Sequence, residues 1–257
     1  MKTILITGGS GSIGKGIAEV LLEKNYKVVL IGRDIERLVN IKNELIKTTK
    51  NQHVETFSMD ITNEKQVVEV IAKIWENHSI DALINAAGIG EPIDYFKTTD
   101  ADWMECIQTK LLGTIKTTRE VSKLMAQHGR KGNIIIINGT FCYDPHPDFI
   151  INSTVNSALS GFTKAASKYL GNKEIRLNTI NPWITESESW QNTAKNLANL
   201  YKSNAETLNK NFKEMNPLKQ FTQVNDIGQT VAFLLSDHAQ YINGASINLD
   251  GGASVGY

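Results

Sequence analysis

The sequence predicts an α/β fold in one domain, built on a doubly wound, seven-stranded parallel sheet with helices on both faces. Short apolar runs alternate with helix-period segments along the whole chain, and each right-handed crossover between parallel strands needs a helix. Two of the runs, Val28-Val29-Leu30-Ile31 and Ile134-Ile135-Ile136-Ile137, lack polar alternation, as strands covered on both faces should. With 257 residues and 41% apolar content, the chain can bury one large core.

The strands are expected at Thr3–Thr7, Lys27–Ile31, Val54–Ser58, Ala82–Ala86, Asn133–Ile137, Arg176–Ile180 and Ser246–Leu249. Helices fit between them at about 13–24, 35–48, 63–77, 99–128, 152–170 and 225–236, three to each face, around strands in the order 3-2-1-4-5-6-7. Residues 185–216 break the alternation. They are rich in Asn, Lys and Glu and carry Trp190, Leu197, Leu200, Tyr201, Leu208 and Phe212 at mostly helical spacing. A pair of surface helices is expected there.

Composition narrows the function. Basic and acidic residues balance at 27 each, so no charge excess points to nucleic acid or to an anionic membrane surface. No apolar stretch approaches the roughly 20 residues of a bilayer span. Cys106 and Cys142 are the only cysteines and form no C-x-x-C pair, which argues against zinc ribbons and disulfides. No metal site is expected, and the cytoplasm is the expected compartment. The apolar Ile4-Leu5-Ile6-Thr7 is too short for a signal segment and reads as the first strand.

The most informative local pattern is Thr7-Gly8-Gly9-Ser10-Gly11-Ser12-Ile13-Gly14, a glycine-rich turn between the first strand and the first helix. Glycines let a backbone approach a pyrophosphate, and the helix N-terminus offers free N–H groups and a partial positive charge. In a βαβ series this context is specific to dinucleotide binding. Asp60-Ile61, Asn85-Ala86-Ala87-Gly88 and Gly32-Arg33-Asp34 stand at further strand ends, where open sheets of this kind take their ligands.

With the helical run Asn156-Ser157-Ala158-Leu159-Ser160-Gly161-Phe162, these motifs resemble a short-chain dehydrogenase/reductase. Gly8, Gly11 and Gly14 match the G-x-x-G-x-x-G spacing of its extended branch, and Asn85 to Gly88 is similar to its N-N-A-G, with Ala86 replacing one Asn. Asn216-Pro217-Leu218, Phe233 to Asp237, Ile242-Asn243-Gly244 and Asp250-Gly251-Gly252 extend the likeness over essentially the whole chain. The resemblance implies a Rossmann-type fold and a nicotinamide dinucleotide held by Gly8, Ser10, Gly11, Ser12, Ile13, Gly14, Arg33, Asp60, Ile61, Asn85, Ala86, Gly88, Pro182 and Ile184. It also implies a small-molecule substrate, a lid at 185–216, and a homodimer or homotetramer joined through the helices at 99–128 and 152–170. Ile115, Val121, Leu124, Leu159, Phe162 and Tyr169 are the apolar positions expected to spare for that face. Arg33 offers a guanidinium fork to a ribose 2′-phosphate, which favours NADP and leaves NAD possible.

The same resemblance exposes a gap. The family's catalytic Tyr, Lys, Ser and Asn align with Asn152, Asn156, Gly139 and Lys110, and its Pro-Gly after the sixth strand is Pro182-Trp183. An amide does not titrate near neutral pH, so Asn152 cannot act as the general acid. Lys110 and Asn156 have in effect exchanged places, so an ammonium can still lie near the ribose, within one water-bridged contact of Asn156. Tyr143 and His146, on the loop Phe141 to Asp148, are the other candidate acids or bases. Three readings stay open: an oxidoreductase acting on a small polar carbonyl or hydroxyl metabolite with a non-standard site, a non-catalytic nucleotide sensor or partner subunit, and a non-redox lyase or isomerase.

Overall fold

A computed structural model describes residues 1–88 and 90–255. Seven parallel strands form one sheet in the order β3-β2-β1-β4-β5-β6-β7, as expected. They are β1 (Thr3–Thr7), β2 (Lys27–Gly32), β3 (Val54–Ser58), β4 (Ile80–Asn85), β5 (Gly132–Ile137), β6 (Ile175–Pro182) and β7 (Ser246–Leu249). The helices are α1 (Ser12–Glu23), α2 (Ile35–Thr49), α3 (Glu64–Asn77), α4 (Asp100–Cys106), α5 (Gly113–Gln127), α6 (Ile150–Gly171), α7 (Glu188–Leu200), α8 (Ala205–Met215) and α9 (Val224–Leu235).

The sheet divides its side chains by strict alternation. Ile4, Ile6, Val28, Leu30, Ile84, Ile135 and Ile137 face one core with Ile17 and Leu21 of α1, Leu38 and Leu45 of α2, and Ile227 and Val231 of α9. Leu5, Val29, Ile31, Leu83, Ile134 and Ile136 face the other with Ile71 of α3, Val121 and Met125 of α5, and Leu159 of α6. Three helices therefore cover each face. Fully burying one such aliphatic side chain stabilises the fold by about 1.5–3 kcal/mol, which is why these strands tolerate no polar alternation.

Two expectations need correction. The continuous helix at 99–128 is interrupted: Ile107–Leu112 form a π-helical turn between α4 and α5. A π turn re-aims the inner face of a helix, and this one carries Lys110 inward, to 8% exposure. Second, Val121 and Leu159 are wholly buried within the subunit core, because both helices need them against the sheet, so neither is spare for an interface. Ile115, Leu124 and Phe162 remain partly accessible, and Tyr169 is exposed.

The order of strands reverses between β1 and β4, so the connections leaving their carboxyl ends part and open a cleft. Asn85, at the end of β4, braces this point. Its Oδ1 lies 2.7 Å from the Thr117 hydroxyl and accepts from Thr7 Oγ1 at 3.4 Å, while its Nδ2 donates to Thr118 Oγ1 at 3.0 Å. The side chain is 2% exposed and is committed to the frame, not to the cleft. Removing it leaves buried hydroxyls without partners, so Asn85→Ala should lower the unfolding free energy by about 2 kcal/mol. Urea denaturation followed by circular dichroism measures this.

Candidate functional site

The glycine turn is held by backbone contact. Gly8 has φ +67°, and a β-carbon there would meet the Ala86 carbonyl oxygen at 2.7 Å; one on Gly14 would meet the Gly8 carbonyl oxygen at 2.3 Å. Both positions therefore exclude side chains, and α1 starts hard against the turn after β4. Gly11 caps α1 with no side-chain hydrogen bond and no acidic residue in the first turn. By contrast Asp34, Asn63 and Thr99 cap α2, α3 and α4 with their side chains. The amino end of α1 is thus left open toward the cleft, which suits an anionic pyrophosphate. The residues present fit a dinucleotide.

The cleft itself is a cavity of about 300 Å³ lined by Gly11, Ser12, Ile13, Gly14, Ala86, Gly88, Lys110, Gly139, Asn152, Asn156, Pro182 and Ile184. Most of the residues singled out from sequence thus come together. A second hollow shares Gly11, Ser12 and Ser187 with it and is lined by Ser10, Lys15, Arg37 and Asn40. Ser10 Oγ would lie 3.2 Å from a β-carbon on Gly32, which puts it at the end of β2. Arg33 is exposed there and lines neither hollow. Arg37, one helical turn further on, was missed from sequence, although its i+4 spacing from Arg33 was readable. Asp60 turns inward on its own loop, accepting from Thr62 N and Oγ1, and Ile61 is buried against Gly113. A larger hollow of about 840 Å³ lies at the opposite, amino-terminal ends of the strands, beside Asp81, Arg130 and Arg176. Sheets of this kind bind ligands at the carboxyl ends.

Lys110 is the electrostatic centre of the cleft. Its stem passes over Gly88, where a β-carbon would lie 3.5 Å from Cδ, and Nζ points to the Asn138 carbonyl oxygen at 3.5 Å. Asn138 in turn donates from Nδ2 to the Asn156 carbonyl at 3.0 Å, and Asn156 Nδ2 donates to the Gly139 carbonyl at 3.4 Å. Asn138 was missed from sequence; its signal was a polar residue directly after the four isoleucines of β5. The Oδ1 atoms of Asn138 and Asn156 are buried and have no protein donor. Burial pushes the Lys110 ammonium down to about 8, against a smaller upward pull from the Cys106 and Cys142 sulfurs. Lys110 pairs with no carboxylate among the described residues.

Asn152 presses on the backbone of Gly90, where a β-carbon would lie 1.7 Å from its Nδ2, and its Oδ1 accepts from Cys106 Sγ at 3.6 Å. Tyr143 and His146 do not line this cavity. His146 stands beyond it, its ring 5.7 Å from Phe149 and its Nδ1 3.6 Å from Asp148 Oδ2. No cluster of His, Cys, Asp or Glu among the described residues is arranged to hold a metal ion.

The segment 185–216 forms α7 and α8, with Thr185, Ser187, Ser189, Trp190 and Thr193 over the cleft. Trp190 Nε1 donates to Asn209 of α8 at 2.8 Å, and Asn196 donates to Glu91, after β4, at 2.9 Å. Tyr201 donates to Asp148, and burial together with that carboxylate pushes its phenol up to about 12. Among the described residues, no helix is long and apolar enough to cross a membrane.

A family model described as enoyl-(acyl carrier protein) reductase matches residues 8–254. The 2,3-dihydro-2,3-dihydroxybenzoate dehydrogenase of Bacillus subtilis (strain 168) is 28% identical over 99% of this chain and 97% of its own length. The solved structure of levodione reductase superposes with a TM-score of 0.93 at 27% identity, covering 100% of this chain and 98% of that one. That of ElxO with NADP bound gives 0.87 at 26%, covering 98% of each chain. With the match running from the glycine turn to the last strand and beyond, the chain belongs to the short-chain dehydrogenase/reductase family.

Proposed function

We propose that this protein is an NADP(H)-dependent oxidoreductase that interconverts a carbonyl and a hydroxyl on a small metabolite, with Lys110 taking over the proton-handling role. The observation that carries this reading is the buried Lys110, which lines the cleft and meets no carboxylate among the described residues. An ion so placed is costly to the fold, and perturbed groups of this kind concentrate at functional sites. A sensor or a partner subunit needs no such group, so the non-catalytic reading is the less favoured. A lyase or isomerase could use it, and the absence of any coenzyme turnover would turn the assignment that way.

The α1 N–H groups at Gly11 to Gly14 would hold the pyrophosphate, Pro182 and Ile184 would flank the nicotinamide, and Arg33 would meet the 2′-phosphate. Binding of NADP by the relative ElxO supports the choice of coenzyme, with NAD as the alternative. Bound there, the reduced coenzyme would supply the hydride for the carbonyl carbon, and the oxygen would need a proton to give the alcohol. Lys110 Nζ donates that proton in reduction and accepts it in oxidation. Asn138 orients Nζ through its carbonyl, and Asn156 fixes Asn138. Asn152 shapes the wall, while Tyr143 and His146 are left outside the proton step. Helices α7 and α8 serve as the lid. A reducing cytoplasm suits Cys106 and Cys142, which form no disulfide. The subunits pair through α5 and α6.

Three outcomes follow. Arg33→Ala should lower the preference for NADPH over NADH more than tenfold in fluorescence titration, and equal affinities in the unaltered protein would count against NADP. Sedimentation should show a dimer or tetramer, and a 28.5 kDa monomer at micromolar concentration would refute pairing through Ile115, Leu124, Phe162 and Tyr169. The third concerns Lys110. Its folded pKa, about 8, lies below its ordinary 10.5, so the folded state loses the proton first. The penalty for the charged form, about 3 kcal/mol, is full below pH 8 and fades as pH rises toward 10.5. Stability should therefore climb across that window, and Lys110→Met should melt higher at pH 7 and show no such climb. Reduction should slow as pH rises through about 8, and the Met variant should lose turnover at least a hundredfold.

A further inference from the structure

Beyond the cleft lies a second, more enclosed lobe of about 130 Å³, lined by Phe141, Phe149, Trp183, Trp190, Phe212 and Met215 among others. It meets the Lys110 cleft at Thr140, Phe141, Phe149, Trp183, Ile184 and Trp190, which line both. The walls come from five separate stretches: the loop after β5, the strand end after β6, α7, α8 and Ala253 after β7. Phe141 stacks on Phe149 at 4.9 Å between centroids. Trp190 meets Phe212 edge-on at 5.7 Å and, at the same distance, Phe221. Phe221 is itself 1% exposed and lies 6.1 Å from Trp183. The rings thus brace one another, so the lobe keeps its shape without a guest.

We propose that this lobe receives an aromatic ring, and that the substrates are aryl aldehydes and ketones and the corresponding alcohols. This rests on the oxidoreductase reading above and replaces the sequence expectation of a polar metabolite. An apolar cavity of ~150 Å³ holds one benzene molecule, so a lobe of about 130 Å³ is of the size of a single ring. Aromatic walls favour a planar guest through edge and face contacts of about 0.5–1.5 kcal/mol each. Besides the two indoles, the polar side chains lining it are Thr140, Asp144 and His146. Thr140, 3% exposed, stands where the two lobes meet. A carbonyl attached directly to the ring then falls at the junction, on the side open to Lys110. A polyol or sugar would instead leave its hydroxyls against phenyl and indole faces without partners.

The test uses the full chain with benzyl alcohol and glycerol as binding probes, read by tryptophan fluorescence because Trp183 and Trp190 line the lobe, alongside a separate NADPH titration. Benzyl alcohol should bind at least tenfold tighter than glycerol. Met215→Glu sets a charge on the wall at a residue 71% exposed, where folding is not at risk. That variant and Phe212→Ala should each weaken benzyl alcohol at least fivefold and leave NADPH affinity within twofold. In turnover, benzaldehyde should exceed glyceraldehyde at least tenfold in kcat/KM. Equal binding of the two alcohols, or indifference of benzyl alcohol to both variants, overturns the aromatic assignment while NADPH binding still stands. Failure to bind NADPH overturns the coenzyme reading, while benzyl alcohol binding alone continues to report on the lobe.

Discussion

The contact of α1 with the turn that precedes it sets the position of everything in the cleft. Gly14 sits where a β-carbon would come within 2.3 Å of the Gly8 carbonyl oxygen, and one on Gly8 would come within 2.7 Å of the Ala86 carbonyl oxygen. These are backbone obstacles, which a neighbouring side chain cannot relieve by changing rotamer. They lock the amino end of α1 to the ends of both β1 and β4, at the point where the strand order turns. Asn85 fastens the same junction to α5 through Thr117 and Thr118. The π turn bearing Lys110, which runs directly into α5, is thereby held to the turn bearing the open N–H groups, and both line one cavity.

On the proposed reading, that arrangement works against stability and in favour of chemistry. Lys110 is deprived of water by Gly88 and Asn138, and receives in return one long contact to a carbonyl oxygen. A surface lysine would have no reason to lose protons near neutrality; burial pushes this one down to about 8. The π turn is part of the same device, because it carries this inward position between two ordinary helical segments. Backbone irregularity, desolvation and an unneutralised charge coincide at one residue, which is how functional sites usually depart from folding rules.

Most of the fold was legible because two-sided burial leaves a strong mark: the isoleucine run of β5 and the valine-rich β2 fit no other role. The glycine turn was legible because close backbone approach admits no other residue. Lys110 stood out because it occupies the position that aligns with the family's catalytic Asn. What could not be read depended on three-dimensional coincidence. The π turn keeps nearly the same apolar spacing as the α-helix around it. Val121 and Leu159 look like spare helix positions until the sheet is laid against them. The aromatic lobe draws Phe141, Trp183, Trp190 and Phe212 from distant segments, each unremarkable alone, and only the return of α7 and α8 over the cleft makes them a wall. The inward hydrogen bonds of the Asn85 side chain, to Thr7, Thr117 and Thr118, were hidden for a related reason: its motif marks only its place at the strand end.

The residues around Lys110 form a set that cannot be altered one at a time. A β-carbon on Gly139 would lie 3.0 Å from Asn156 Nδ2, so a serine there requires the amide to move. That amide donates to the Gly139 carbonyl, and the backbone of the same residue receives Asn138, whose own carbonyl faces Lys110. Displacing Asn156 therefore disturbs the group that aims the ammonium. A lysine at 156 would be worse, since it would bring a second cation toward the first across a single intervening residue, in a medium where like charges are poorly screened. Glycine at 139 and asparagine at 156 thus suit a cation at 110. These three positions are coupled in this cleft, with the charge supplied from the π turn and α6 contributing the Asn156 amide.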